Sequence, residues 1–403
     1  MASPATAAVI AALTAEGAAV RFVGGCVRDA VAGRAVKDVD LATPDAPETV
    51  TRLLEAAGLK AVPTGIKHGT VTAVAHGEGI EVTTLRRDVE AYGRHAKVVF
   101  TDDWEADAAR RDSTINALFC DPDGTLYDPV GGLEDLRAGR VRFVGDARTR
   151  IEEDVLRLLR FFRFYASFGR PPPDAEALAA CRAMAPALTA LSGERVRDEL
   201  LKLLAAPAPA EVLPLMADAG ALAQVLPEVT GFDALAELCE IEDEDADSLR
   251  RLALLLRRGL GGAPAVAERL RLSNAGRDRL AAMVEPPVAV VAGLDSRAQR
   301  RALYRLGPAL FADLVTLAWA ETAFHEPGAS DALHDLFRAM LETADSWEDP
   351  ALPVKGADAV ALGVPKGPAV GRLLAEVEEW WQAGDYRATR TEALAKLGEL
   401  AEG

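Results

Sequence analysis

Residues 21–43 read RFVGGCVRDAVAGRAVKDVDLAT. The apolar run Ala19–Val23 predicts a short strand stopped by Gly24 and Gly25, the following helix carries Arg28 and Asp29, and Val39–Ala42 predicts a second strand. Glycines at a strand-to-helix turn let phosphate oxygens approach the amides of the helix N-terminus, and Arg28 in the first turn adds a bidentate donor. Alone, such a pair of glycines is more often simply a tight turn. In the second strand Asp38 and Asp40 flank Val39, so alternation points both carboxylates to one face and Val39 to the core. That arrangement suits Mg²⁺: two hard cations ~3.5–4 Å apart, shared between carboxylates and nucleotide phosphates, activate an attacking hydroxyl and stabilise a pyrophosphate leaving group. Without further support, two acids on a strand read as a solvated edge.

Outward from this stretch, Gly69–Ala75 and Ile80–Leu85 predict further strands, and Ala117–Cys120 with Thr125–Asp128 predicts a hairpin around Asp121–Gly124. Glu81 alternates onto the face opposite Val82. If its strand neighbours the aspartate strand, Glu81 completes a three-carboxylate site. From Asp146 onward the spacing is helical, punctuated at Pro171–Pro173, Ala205–Pro209, the acidic run Glu240–Asp247 (expected as a solvated loop), Gly259–Pro264 and Asp349–Gly356. The chain is thus an α+β protein, a small sheet-containing head followed by helices.

The 403 residues include 45 Lys plus Arg against 62 Asp plus Glu, a formal charge of −17, with 50% hydrophobic residues. This mixture excludes disordered, collagen-like and coiled-coil chains. A nucleic-acid role for so acidic a chain requires a local concentration of basic residues, since Lys and Arg supply backbone affinity. Such a concentration exists: nine arginines against four acids lie between Arg137 and Arg170. Cys26, Cys120, Cys181 and Cys239 form no CxxC pair and read as small core residues of a reducing compartment. The alanine-rich start reads as a helix, with Glu16 in its apolar run, and no stretch offers the ~20 apolar residues of a membrane span. A cytoplasmic protein is expected.

The segment EEDVLRLLRFFRF, 152–164, repeats polar positions at Asp154, Arg157, Arg160 and Arg163. On a helix each three-residue step drifts by about 60°, so Asp154 and Arg157 share a face but Arg163 does not. Without other support this is a surface helix bearing an Asp-to-Arg pair. The stretch RRDVEAYGRHAKVVF, 86–100, is too polar and glycine-interrupted for a clean strand.

GGCVRD, DVD, TGIKHGTVTAV, EVTTLRRD, RRDSTINAL, DPVGGLEDL, EEDVLRLLRFFRF and SGERVRDELLKLL follow one another here as in the class II tRNA nucleotidyltransferases. The chain resembles this family of bacterial CCA-adding enzymes and poly(A) polymerases closely in its first half and more loosely through LRLSNAGRDRL and LGVPKGPAVGRLL. The resemblance implies a polymerase-β-type nucleotidyltransferase head (1–145), a helical neck that recognises the base (146–215), a helical body (216–345) and a tRNA-binding tail (346–403). It implies a two-metal Mg²⁺ site on Asp38 and Asp40 with Glu81 as third carboxylate, and triphosphate contacts from Gly24, Gly25 and Arg28. Arg111 matches a nucleotide-binding arginine and Asp112 a ribose contact. Asp154 and Arg157 match the residues that read the incoming base, with Arg160 and Arg163 reaching ribose or phosphates. Arg86, Asp88 and Arg94 match a flexible loop that favours full CCA addition. Ser113 departs from the family, which usually has an aromatic there.

An aspartate that accepts beside an arginine that donates fits a base with an amino group next to a ring-nitrogen acceptor. Cytosine and adenine qualify; uracil and guanine do not. The implied activity is template-free CCA addition to the tRNA 3′ end from CTP and ATP, with no DNA or membrane partner. The alternatives are a poly(A) polymerase, an enzyme adding only CC or only A, and a non-catalytic RNA-binding protein on the same scaffold. His325, His334 and Asp335 are too few for a metal phosphohydrolase site and read as helix surface. The tail turn Gly363–Pro368 serves equally as punctuation or as an RNA contact.

Overall fold

The computed structural model describes residues 3–92, 95–243, 245–259, 262–328 and 330–402. The chain divides into two compact units, Met1–Thr230 with Glu268–Leu272, and Gly231–Ala267 with Ser273–Gly403.

The first unit starts with α1 (Pro4–Thr14), whose first turn is capped by the Ser3 hydroxyl accepting the Thr6 amide at 3.1 Å. There follow β1 (Arg21–Val23), α2 (Gly25–Val31), β2 (Asp40–Thr43), α3 (Pro47–Ala56), β3 (Lys60–Gly65), β4 (Thr70–Ala75), β5 (Glu78–Thr84), β6 (Arg86–Tyr92), β7 (His95–Phe100), α4 (Trp104–Ala109), β8 (Phe119–Cys120) and β9 (Leu126–Tyr127). Seven strands form a mixed sheet in the order β3-β4-β5-β2-β1-β8-β9, in which β2 and β5 run parallel and the other neighbours antiparallel. Alternation divides the faces. Phe22, Leu41, Val71, Ala73 and Val82 pack with Val9 and Leu13 of α1 and with Val50 and Leu54 of α3. Val23, Ala42, Leu85 and Phe119 face the other way, with Ala108 of α4. Each fully buried leucine or phenylalanine contributes about 1.5–3 kcal/mol.

The predicted strands are present as β1, β2, β4, β5 and the β8–β9 hairpin, with two additions and one change. β3 lies at the sheet edge, where Pro63 costs no ladder bond and burial is too slight to impose alternation. The polar stretch after Leu85, expected to be no clean strand, forms the two-stranded pair β6–β7, a hairpin separate from the main sheet. β2 begins at Asp40, leaving Asp38 on the bend before it. The cause is local: β1 pairs Phe22 with Leu41 and then turns at Gly24 into α2, so no strand remains opposite Asp38.

Helices complete the unit: α5 (Gly132–Ala138), α6 (Ala147–Glu153), α7 (Leu156–Phe168), α8 (Ala175–Met184), α9 (Gly193–Leu204), α10 (Pro209–Asp218) and α11 (Ala221–Val225). α7 buries Leu158, Leu159, Phe161, Phe162 and Tyr165, and presents Arg157, Arg160 and Arg163 at half-buried positions.

The second unit holds α12 (Leu235–Glu242), α13 (Ser248–Arg258), most of α14 (Ala263–Arg269), α15 (Asn274–Val284), α16 (Ser296–Leu306), α17 (Pro308–His325), α18 (Asp331–Asp345), α19 (Gly356–Ala361), α20 (Pro368–Ala383) and α21 (Arg390–Glu402). The acidic run is not simply a solvated loop. Glu242 is buried at the end of α12 and receives Arg250 at 2.8 Å and Arg251 at 2.7 Å, while Asp247 caps α13 and accepts Arg279 at 2.7 Å. The pairing explains the burial, because an isolated carboxylate would not be tolerated there. His334 accepts the Trp319 indole N–H at 2.7 Å, His325 meets Arg258, and Asp335 pairs with Arg338. Among the described residues no helix is long and apolar enough to cross a membrane.

Candidate active site

The parallel register of β2 and β5 sets Asp40 directly opposite Glu81, and β4 sets Thr72 on the other side of Glu81. The sequence left this strand order open. Asp40 is half-buried, and burial pushes its carboxyl above the usual range; Glu81 and Asp38 push the same way, and Arg111 opposes them. Asp38 is exposed. Among the described residues no three His, Cys, Asp or Glu side chains are gathered closely enough to hold a metal by themselves. The donor chemistry still fits a hard divalent cation. Asp38 and Asp40 supply carboxylate oxygens, and the accumulated negative charge that disfavours ionised Asp40 is what such a cation neutralises.

Gly24 joins β1 to α2 with φ +71°, and a Cβ there would stand 3.3 Å from the Arg111 Nη1 and 3.5 Å from the Asn116 carbonyl. The positive φ is what favours glycine here. Its amide is committed to the Leu118 carbonyl at 3.0 Å, so a phosphate would meet the amides of the α2 first turn, beginning at Gly25, and not that of Gly24. Arg28 donates through Nε and Nη2 to Asp29 and through Nη1 to the Asn116 Oδ1 at 2.5 Å, and its guanidinium lies 4.5 Å from the Phe168 ring centre.

Arg111 is held by a residue the sequence reading passed over. Asp107, 1% exposed, accepts Arg110 on Oδ1 at 2.6 Å and Arg111 on Oδ2 at 2.8 Å, and also takes the backbone N–H of Arg86 at 3.2 Å. Burial alone would raise its pKa, but the two guanidiniums hold the carboxyl below the usual range. The spacing Asp107, Arg110, Arg111 on one helix end was the available signal.

Asp112 is the hub of a second network. Its Oδ1 accepts the Ser113 amide at 2.8 Å and the Asn116 side chain at 3.1 Å, and its Oδ2 accepts Arg160 at 2.5 Å. Against the effect of burial, Arg160 and these hydrogen bonds hold its carboxyl below the usual range. Glu199 on α9, 4% exposed, then receives Arg163 at 2.6 Å and Arg160 at 3.4 Å. Burial and the Arg160 charge lower the pKa of Arg163 although Glu199 opposes them; for Arg160, Asp112 and Glu199 overcome burial and raise it. Ser113, where the family usually has an aromatic, is buried with its hydroxyl donating to the Arg142 carbonyl at 3.1 Å; Phe143, bridged to it, stacks on Phe161.

Asp154 and Arg157 were expected on a single helix. Instead α6 ends at Glu153, Asp154 is extended (φ −154°, ψ 108°), and α7 starts at Leu156. The cause is the aspartate itself: its Oδ1 accepts the Leu156 amide at 3.1 Å, a cap that competes with helix continuation. Its Oδ2 accepts Arg195 of α9 at 2.7 Å. Arg157 pairs with Glu153 and donates to the carbonyls of Arg150 and Arg110. Arg195 and Glu199, one turn apart on α9, thus back the arginine helix, and the i,i+4 spacing in SGERVRDELLKLL was their signal. Of the loop residues, Arg86 anchors the root of β6, donating to the His68 carbonyl. Arg94 and the side chain of Asp88 lie outside the described residues.

Residues 20–142 match the family model of the poly A polymerase head domain, and 173–232 match that of a probable RNA and SrmB-binding site of polymerase A. The mitochondrial CCA tRNA nucleotidyltransferase 1 of Danio rerio is 34% identical over 395 residues, covering 94% of this chain and 87% of that protein. The CCA-adding enzyme of Lactobacillus johnsonii is 31% identical, with 89% and 87% covered. Among solved structures, the CCA-adding enzyme of Bacillus stearothermophilus in complex with CTP superposes with a TM-score of 0.80 at 30% identity, covering 99% of this chain and 98% of that one.

Proposed function

The chain belongs to the CCA tRNA nucleotidyltransferases, within the class II family of CCA-adding enzymes and poly(A) polymerases, and on that premise we propose that it completes tRNA 3′ ends with CTP and ATP, releasing pyrophosphate. The observation that carries the reading is the register of Asp40 against Glu81, with Arg111 held beside them. Asp38 and Asp40 would hold Mg²⁺, which when bound supplies activation of the tRNA 3′-hydroxyl and charge neutralisation at the phosphates. Glu81 keeps the acidic corner one charge more negative. Arg28, Arg111 and the first-turn amides of α2 from Gly25 onward orient the triphosphate, Gly24 making the close approach, and Asp112 receives the ribose.

Asp154 and Arg157 read the base. Both now hold protein partners, Arg195 and Glu153, so a cytosine or adenine edge exchanges with these contacts; uracil and guanine present a carbonyl and an N–H where the pair needs an amino group and a ring nitrogen. Arg160 and Arg163, held by Asp112 and Glu199, would reach the ribose or the phosphates. Arg86, Asp88 and Arg94 help to reset the pocket between C and A. The organisation into head (1–145), neck (146–215), body (216–345) and tail (346–403) follows the same reading, as does action in the cytoplasm, which the free cysteines suit.

The test offers tRNAs lacking one, two or three terminal nucleotides, with each nucleoside triphosphate separately, with and without EDTA. Metal-dependent addition of C, C and then A, with UTP and GTP refused, supports the proposal. Long tails from ATP alone would make the chain a poly(A) polymerase, and no incorporation would leave an RNA-binding protein.

A further inference from the structure

Beyond Gly24, at the far end of α2, a recess of about 490 Å³ opens where α2, α5 and α7 all end. Its wall carries three arginines, Arg34, Arg137 and Arg170, all exposed, together with Leu136, Ser167 and Phe168. The carbonyl ends of helices attract cations, and this accounts for Arg34, which donates to the Ser167 carbonyl with its guanidinium 4.2 Å from the Phe168 ring centre. The same attraction acts on Arg137 in the last turn of α5, but it supplies neither Arg137 nor Arg170 with a counterion. Among the described residues neither Arg137 nor Arg170 makes an ion pair, and two nearby carboxylates are committed elsewhere, Asp29 to Arg28 and Asp135 to Arg140 and Arg142.

Arg170 is built into position. Its amide donates to the Gly139 carbonyl at 2.8 Å, and its stem crosses Gly139 so closely that a Cβ there would stand 2.5 Å from the Arg170 Cγ. Gly139 also has φ +68°, so both the turn and the crossing require glycine. Phe168, on the recess wall, is in contact with both Arg34 of the recess and Arg28 of the triphosphate side, so the recess and the proposed nucleotide site adjoin one ring.

We propose that this recess binds a backbone phosphate of the tRNA, with Arg137 and Arg170 as its forked donors and Arg34 as the fixed third charge. Guanidiniums match the paired oxygens of a phosphodiester, and the recess adjoins the proposed nucleotide site through Phe168. A chain with seventeen surplus negative charges repels RNA generally, so unpaired guanidiniums gathered in one concavity are where attraction concentrates. The proposal rests on the tRNA reading above.

The double variant Arg137→Gln, Arg170→Gln is exposed at both positions and should fold. Wild type and variant are compared in binding to tRNA lacking its CCA end across a salt series, and in steady-state extension with CTP. The expected result is roughly a 10-fold weaker tRNA affinity at low salt and a slope of log K against log salt smaller by about 1–2, with KM for CTP and kcat at saturating tRNA unchanged. Unchanged tRNA affinity and slope would overturn the proposal. So would a raised KM for CTP or weakened inhibition by inorganic pyrophosphate, either of which would assign the recess to free phosphates instead. If wild type neither binds nor extends tRNA, the functional reading itself fails; a variant indistinguishable from an active wild type fails the recess alone.

Discussion

Asp40 on β2 stands opposite Glu81 on β5 in parallel register, so two carboxylates sit side by side on neighbouring inner strands of the sheet. If Glu81 completes the charge of the metal corner, Glu81→Gln should leave the fold intact and lower kcat by about 100-fold or more while tRNA affinity stays within about 2-fold. Steady-state kinetics at saturating Mg²⁺ decide it, and unchanged turnover removes Glu81 from the site.

Asp107 fixes Arg111 from beneath, so Asp107→Asn should raise KM for both CTP and ATP by about 10-fold. Breaking a buried pair from one side also costs about 3–5 kcal/mol, so a fall in melting temperature accompanies it. A structural role alone would move the melting temperature and leave nucleotide KM untouched. The informative measurement is KM for CTP taken well below the variant's melting point, with KM for tRNA as the control.

Arg195 restrains Asp154 through Oδ2. Arg195→Ala should therefore loosen base reading more than turnover: kcat/KM for CTP and ATP falls by about 10-fold, and UTP misincorporation rises. Extension of tRNAs lacking one and lacking two terminal nucleotides, with each triphosphate in turn, provides the readout. Unaltered selectivity would mean that Arg195 only packs.

Acid stability follows from Asp107 and Asp112, both held below the usual aspartate range by their arginines against the effect of burial. A carboxyl whose pKa is lower folded than unfolded contributes stability above its unfolded value, about 3.9, and loses it as pH falls through the lowered folded value. Unfolding followed by circular dichroism should accordingly show a steep loss of stability below about pH 4. In Asp112→Asn that loss should be shallower, the variant being already weakened at neutral pH.

The sequence made the head legible because alternation and turn residues dominate there: Val71, Ala73 and Val82 announce a buried face, and Asp121–Gly124 a hairpin. It hid strand order, since nothing local to Glu81 says that β5 lies beside β2. It also misled at Asp154, where helical periodicity ran through a position whose own side chain caps the next helix. The ion partners Asp107 and Glu199 sit at ordinary i,i+4 spacing from other charged residues, and only burial separates them from the solvated pairs common on any helix.

The hydrogen-bonded series from Asp29 and Arg28 through Asn116, Asp112 and Arg160 to Glu199 and Arg163 contains three cations and three anions. On the proposed reading a nucleotide would meet no sink for anions at large but a balanced ionic lattice, in which each of these three arginines already has a counterion to give up. Entry is an exchange of counterions, and only a ligand that replaces several at once leaves no charge stranded.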